Sequence, residues 1–195
     1  MRMIVAAVPG GGKTTILNYV VKKIPEAKIV HMGDLVFEIA KKKFKIKDRD
    51  ELRQELTIDQ QKLVQDNAYK KISKMRQKII IIDTHFSIKT PSGYFPGITD
   101  HTVKMVKPDS IVVLEFSPKD IIERRMKDKS RKRDAETEEQ VEEHQRMNRQ
   151  YASNASALIE CPVDIIDLRY KQKKPFEHAV KAANEIVKII KRDAK

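Results

Sequence analysis

The stretch Ala7-Val8-Pro9-Gly10-Gly11-Gly12-Lys13-Thr14-Thr15 holds three of the six glycines of the chain beside a lysine and two hydroxyl side chains. Glycine lets backbone N–H groups converge without Cβ atoms in the way, and N–H groups converging at a helix start make an anion site. Gly12, Lys13 and Thr14 match the phosphate-loop pattern G-x-x-x-x-G-K-[ST], with Ala7 where its first glycine falls. Alanine keeps that turn nearly as small. In such a loop the N–H groups of Gly10 to Thr15 hold phosphate oxygens, Lys13 bridges the β- and γ-phosphates as a point charge, and Thr14 Oγ ligates Mg2+. Asp83 ends an isoleucine run, where a carboxylate at the carboxyl end of a central strand lies beside the metal and acts through its water. Arg124, Arg131 and Arg133 fall in a densely charged segment between two helices. Their planar forks match phosphate geometry, and a mobile loop lets them close over a nucleotide.

These groups need a frame. Met1 to Val8 is an apolar strand entering the loop, and Ile16, Leu17, Val20, Val21 and Ile24 give the helix Thr14 to Ile24 an inward stripe that Pro25 ends. Lys28 to His31 reads as a second strand, followed by a helix to about Lys43 with Asp34 as its N-cap. A charged stretch from Lys47 to Arg53 leads into a helix from Thr57 to Met75 carrying Leu63, Ala68 and Ile72 inward. Four consecutive isoleucines, Ile79 to Ile82, need burial on both faces, as a central parallel strand does. Thr84 to Ile98 reads as a long functional loop with two more glycines. Asp109 to Phe116 is the next strand, and Ser117-Pro118 supplies the N-cap and N1 residues of a helix. A long helix from Glu136 to Ile159, a last strand Pro162 to Leu168 and an amphipathic helix Pro175 to Ile190 close the chain. The alternation of strands and helices predicts an α/β protein with a doubly wound parallel sheet.

The 195 residues suit a single domain, and no run of eighteen apolar residues or signal-peptide pattern occurs, which predicts a cytoplasmic protein. The lone cysteine, Cys161, is expected as a small core residue at a strand start. A net charge of +12 suits nucleic acid, phosphorylated small molecules or anionic surfaces equally. Absence of an N-K-x-D sequence argues against a guanine-nucleotide switch, and absence of L-S-G-G-Q against a transporter ATPase. A small phosphoryl-transfer kinase remains.

In Pro9 to Thr15, Gly33-Asp34, Lys47 to Arg53, Asp83-Thr84-His85 with Thr90 to Gly97, and Arg131 to Asp134, the chain resembles the archaeal-type adenylate kinases, a branch of the nucleoside monophosphate kinases. The resemblance runs nearly end to end. It implies a three-layer P-loop fold with a parallel five-stranded sheet, a helical acceptor-nucleotide region near residues 33–75 and a short lid near 125–135. It also implies reversible transfer from MgATP to AMP giving two ADP, in the cytoplasm and often as a trimer. By the same resemblance Ala7, Val8, Pro9, Gly10, Gly11, Gly12, Lys13, Thr14 and Thr15 bind ATP, while Asp34, Arg53, Asp83, His85 and Lys89 face AMP. Arg53 corresponds to the AMP-phosphate ligand, Arg124 to an arginine stacked on ATP at the lid's base, and Arg131 and Arg133 to the lid clamps. Two positions depart from the pattern: Ala7, and Lys89 where an arginine is expected. His85 reads equally as a packed loop histidine or a phosphate contact. The metal implied is Mg2+, with Thr14 as direct ligand and Asp83 through water, and a zinc-stapled lid is excluded by the single cysteine. Competing readings are an RNA- or ribosome-associated P-loop ATPase using the +12 charge, and the same chemistry on another nucleoside monophosphate.

Overall fold

The computed structural model describes residues 1–48, 52, 55–90, 93–128 and 136–194. Arg53, Arg131 and Arg133, and with them most of the expected lid, lie outside the described residues. In chain order the elements are β1 (Arg2–Ala6), α1 (Lys13–Lys23), β2 (Ala27–His31), α2 (Met32–Phe44), α3 (Ile58–Ser73), β3 (Ile79–Thr84), β4 (Ser87–Thr90), β5 (Gly93–Pro96), α4 (Asp100–Val106), β6 (Ser110–Phe116), α5 (Pro118–Lys127), α6 (Glu138–Ile159), β7 (Val163–Leu168) and α7 (Glu177–Asp193).

Strands β2-β3-β1-β6-β7, in that order, form one parallel sheet. Side chains alternate along a strand, and each face meets its own helices. Met3, Val5, Ile81, Val112 and Leu114 join α1 and α7 residues such as Leu17, Val20, Ala183 and Ile186 in one core. Ile4, Ala6, Ile80, Ile82, Ile111 and Val113 join Ala68, Tyr69 and Ile72 of α3, Val103 of α4 and Ala152 of α6 in the other. The isoleucine run is thereby split between two cores, and cutting Ile81, fully buried, to alanine costs about 2–5 kcal/mol. A third, smaller cluster of Ala40, Ile46, Leu56 and Val64 ties α2 to α3. Among the described residues no helix is long and apolar enough to cross a membrane.

Side-chain capping fixes three of the seven described helix starts. Thr57, Thr99 and Thr137 each close a capping box with the residue three positions on, at α3, α4 and α6. Several expectations change. Asp34 is not an N-cap: α2 begins two residues earlier, after His31, and Asp34 sits in its first turn. Ala68 and Ile72 of the expected α3 stripe are buried, but Leu63 is 41% exposed, and Val64 and Tyr69 complete the inward face in its place. The stretch read as a loop contains the antiparallel hairpin β4–β5, with Lys89 opposite Tyr94. Ser117 and Pro118 occupy the N-cap and N1 places of α5, but the Ser117 side chain makes no capping bond. Cys161 is buried, as expected.

Candidate active site

Strand β1 lies between β3 and β6, so the chain crosses from one side of the sheet to the other at its carboxyl end. That crevice is where parallel α/β sheets bind ligands. The connection from β1 to α1 runs through it. Gly12 caps α1 at φ 85°, a left-handed conformation suited to glycine, and as a glycine it offers the helix start no side-chain capping bond. With no acidic residue in that first turn, the positive end of α1 is open to an anion.

Three carbonyls of the loop accept from cations. Lys13 Nζ donates to Ala7 O at 3.3 Å, Arg125 Nε to Pro9 O at 2.9 Å, and Arg124 Nη1 to Gly11 O at 3.2 Å. A peptide plane whose oxygen is fixed on one side presents its neighbours' N–H groups on the other, which is how an anion nest is made. Packing reinforces this arrangement. A Cβ on Gly10 would meet Arg125 Cγ at 2.7 Å, and one on Gly11 would meet the Phe116 ring at 3.0 Å and Ala7 Cβ at 3.2 Å. The methyl group of Ala7, fully buried, is therefore accommodated because Gly11 has none. Arg124 also lies 4.7 Å over the Phe116 ring and 3.3 Å from His178 Nδ1. Burial works against its charge, offset by Asp120 and Glu123.

Lys13 is 8% exposed and faces Asp83 Oδ1 at 3.5 Å. Asp83 Oδ2 accepts from His31 Nδ1 at 2.7 Å. His85 Nδ1 donates to the Ala7 carbonyl, so the Lys13 ammonium 3.2 Å away is a neighbour of that nitrogen and not its donor. Val8 is buried, whereas Gly12, Thr14 and Thr15 are exposed at the mouth of the loop. Thr14 hydroxyl and Asp83 carboxylate are oxygen donors of the kind a hard divalent cation takes, and neither belongs to a cluster of three or more His, Cys, Asp or Glu among the described residues. That donor set fits Mg2+ brought in with a nucleotide, which supplies the remaining oxygens.

On the far side of the loop, Glu136 accepts from Lys89 at 2.7 Å and from Arg125. Burial alone raises the Glu136 carboxyl, but the two cationic hydrogen bonds outweigh it and hold the group below the usual carboxylate range. Arg125 thus connects the phosphate loop to Glu136, and Glu136 connects it to the hairpin. Helix α6 carries the supports. Gln145 both accepts from Phe116 N and donates to Phe116 O, at 2.9 Å each, closing the end of β6 just before α5. One turn on, Asn148 Oδ1 accepts from Phe86 N and Ser87 N, fixing the chain that follows His85. His144, 3% exposed, donates through Nε2 to Ser87 O at 3.2 Å. In β6 itself, buried Glu115 takes Arg149 and Arg169, the latter at 2.8 Å.

The structure therefore brings together Ala7 to Thr15, Asp83, His85 and Arg124, and sets Lys89 against Glu136. Asp34, exposed, lies one turn into α2, which follows His31 directly. Sequence reasoning passed over His31, Arg125, Glu136, Gln145 and Asn148. Arg125 had a signal, its adjacency to Arg124; the amides on α6 had none, since their partners are backbone groups far away in sequence.

A parallel β2-β3-β1-β6-β7 sheet with a phosphate loop after its central strand defines a P-loop kinase fold. Solved structures of the same fold include shikimate kinase from Bacteroides thetaiotaomicron, with a TM-score of 0.61 and 12% identity over 98% of both chains. Shikimate kinase from Aquifex aeolicus gives 0.57 at 14% identity, covering 100% of this chain and 98% of that one. Residues 6–142 match the family model described as an AAA domain. The adenylate kinase of Pyrobaculum aerophilum is 47% identical over 193 residues, 98% of each chain. That of Pyrococcus horikoshii is 39% identical, covering 96% of this chain and 94% of its own. The chain belongs to the adenylate kinase family.

Proposed function

We propose that this chain catalyses reversible transfer of a phosphoryl group from MgATP to AMP, giving two ADP. The observation that carries the reading is the set of three loop carbonyls engaged by Lys13, Arg124 and Arg125 at the start of α1, in a chain 47% identical to an adenylate kinase over 98% of its length. Phosphoryl transfer is chiefly positioning and electrostatic stabilisation, and preorganised donors lower the barrier without reorganising.

In this reading the N–H groups of Gly10 to Thr15 bind the ATP phosphates and Lys13 turns from Ala7 O to the β- and γ-phosphates. Arg124, already oriented by Gly11 O and the Phe116 ring, flanks the ATP base and phosphates at the lid's base. Arg131 and Arg133 close over the transferring group. Thr14 Oγ holds Mg2+ directly and Asp83 through water; the ion, when bound, screens the negative charge of the phosphates. The acceptor enters between α2, the segment with Arg53, and the hairpin, with Asp34, Asp83, His85 and Lys89 on its side. An AMP phosphate is already ionised, so no general base is needed to activate it. The whole chain is one kinase domain, with residues 33–75 as the acceptor region and 125–135 as the lid. The resemblance to archaeal-type enzymes further supports a cytoplasmic homotrimer.

The test is ADP formation from MgATP with AMP, CMP, UMP and GMP offered in turn. AMP should be the preferred acceptor by at least about tenfold in kcat/KM. Equal use of all four, or ATP hydrolysis indifferent to any of them, contradicts the assignment.

A further inference from the structure

His31 is the last residue of β2 and lies in register beside Asp83 of β3. It also occupies the N-cap place of α2, with φ −77° and ψ 104° and no side-chain capping bond. Serine, threonine, aspartate or asparagine would serve that helix start better. The imidazole is spent elsewhere: its Nδ1 lies 2.7 Å from Asp83 Oδ2, and since a carboxylate only accepts, Nδ1 carries the hydrogen.

Asp83 thus has its two oxygens divided. One is held firmly by His31, while the other faces Lys13 Nζ at 3.5 Å, beyond ordinary hydrogen-bond length. The side chains of Lys13 and Asp83 are only 9% and 12% exposed, where opposite charges attract strongly and a tight pair is hard to part. Lys13 Nζ is turned toward Ala7 O at 3.3 Å, and among the described residues the one firm hydrogen bond to the carboxylate comes from His31 on the neighbouring strand.

We propose that His31 is a positioning residue for phosphoryl transfer, reserving one oxygen of Asp83 so that Lys13 can exchange its contact with Ala7 O for the nucleotide phosphates. The inference rests on the phosphate-binding role given to Lys13 above. Without the imidazole, the Asp83 carboxylate rotates toward Lys13 and competes with the phosphates for it. Because His31 immediately precedes α2, the same contact ties the start of the acceptor region to the lysine of the donor site through a single carboxylate.

The experiment is a double-mutant cycle read by equilibrium binding of ATP alone, with thermal melts of each variant. His31→Leu, which removes the donor, should weaken ATP binding about fivefold or more with the melt unchanged, and His31→Asn, whose amide N–H can replace Nδ1–H, should stay within about twofold of wild type. In an Asp83→Asn background His31→Leu should change ATP affinity by less than about twofold, because its route to Lys13 is already cut. Wild-type ATP affinity in His31→Leu, an equal loss in both backgrounds, or failure of His31→Asn to rescue overturns the proposal. Binding is measured without any acceptor, so inactivity toward AMP would defeat the adenylate kinase reading while leaving this test standing.

Discussion

Lys89 Nζ and Glu136 Oε1 meet at 2.7 Å across 47 residues of chain, joining the β4–β5 hairpin to the residue just before the cap of α6. Arg125 shares the same carboxylate and reaches Pro9 O with its Nε. One acidic group thereby links the phosphate loop, both flanks of residues 126–135 and the β4–β5 hairpin. Replacing it with an isosteric amide, Glu136→Gln, leaves two cations facing a neutral partner that is 11% exposed. We expect a stability loss of about 1–3 kcal/mol by urea titration, and a kcat about tenfold lower because the loop carbonyl is no longer held. An unchanged kcat would mean that Arg125 holds Pro9 without this support.

Lys13→Ala removes the point charge at the centre of the phosphate loop. ADP formation should fall by at least about 10²- to 10³-fold. The fold should survive, because the packing of α1 against the sheet rests on Ile16, Leu17 and Val20. A melt shifted by only a few degrees, alongside lost turnover, is the expected pair of readings.

Gly97 is expected to be intolerant of any side chain. A Cβ there would overlap the His85 carbonyl oxygen, while Gly97 N donates to Phe86 O at 2.8 Å and its carbonyl accepts from Tyr69 at 3.2 Å. Gly97→Ala should therefore cost more than about 3 kcal/mol in chemical denaturation, and should move His85 away from the phosphate loop.

Acid sensitivity has an identifiable source. Burial lowers the pKa of His144 below its ordinary 6.5, outweighing the Ser87 carbonyl bond that favours the charged ring. The unfolded chain then binds the proton more readily than the folded one. Stability from the neutral ring is complete above about pH 6.5 and is lost as pH falls toward the lower folded-state value. Melting temperatures from pH 7.5 to 5 should drop less steeply in His144→Gln than in wild type. Glu136 adds a second, more acidic loss: its pKa is depressed, so its contribution is present above the ordinary carboxylate value and disappears below it.

The sheet was legible because burial on two faces leaves a plain mark: four consecutive isoleucines fit only a central strand, and alternation divides them between two cores. The phosphate loop was legible because backbone convergence demands glycine. The hairpin at Ser87–Pro96 was not, because Ser87-Ile88-Lys89-Thr90 is four residues long with one apolar member, too brief for a two-residue period to stand out. Asp34 misled because it is a good cap residue near a helix start that the chain reaches two residues earlier. Glu136, Gln145 and Asn148 stayed hidden for a different reason: their roles depend on backbone and side-chain groups brought near only by folding, and glutamate and amides on a polar helix look like ordinary solvated surface.

In the proposed reaction, donor and acceptor phosphates meet between Lys13 and the Lys89 hairpin on one continuous polyphosphate track. Binding of two adenosines joined by five phosphates measures this directly. The account predicts one molecule bound per chain, more tightly than either ATP or AMP and displaced by both, with Lys13→Ala weakening it severely. Displacement by ATP but not by AMP, or affinity no better than that of ATP alone, would contradict it.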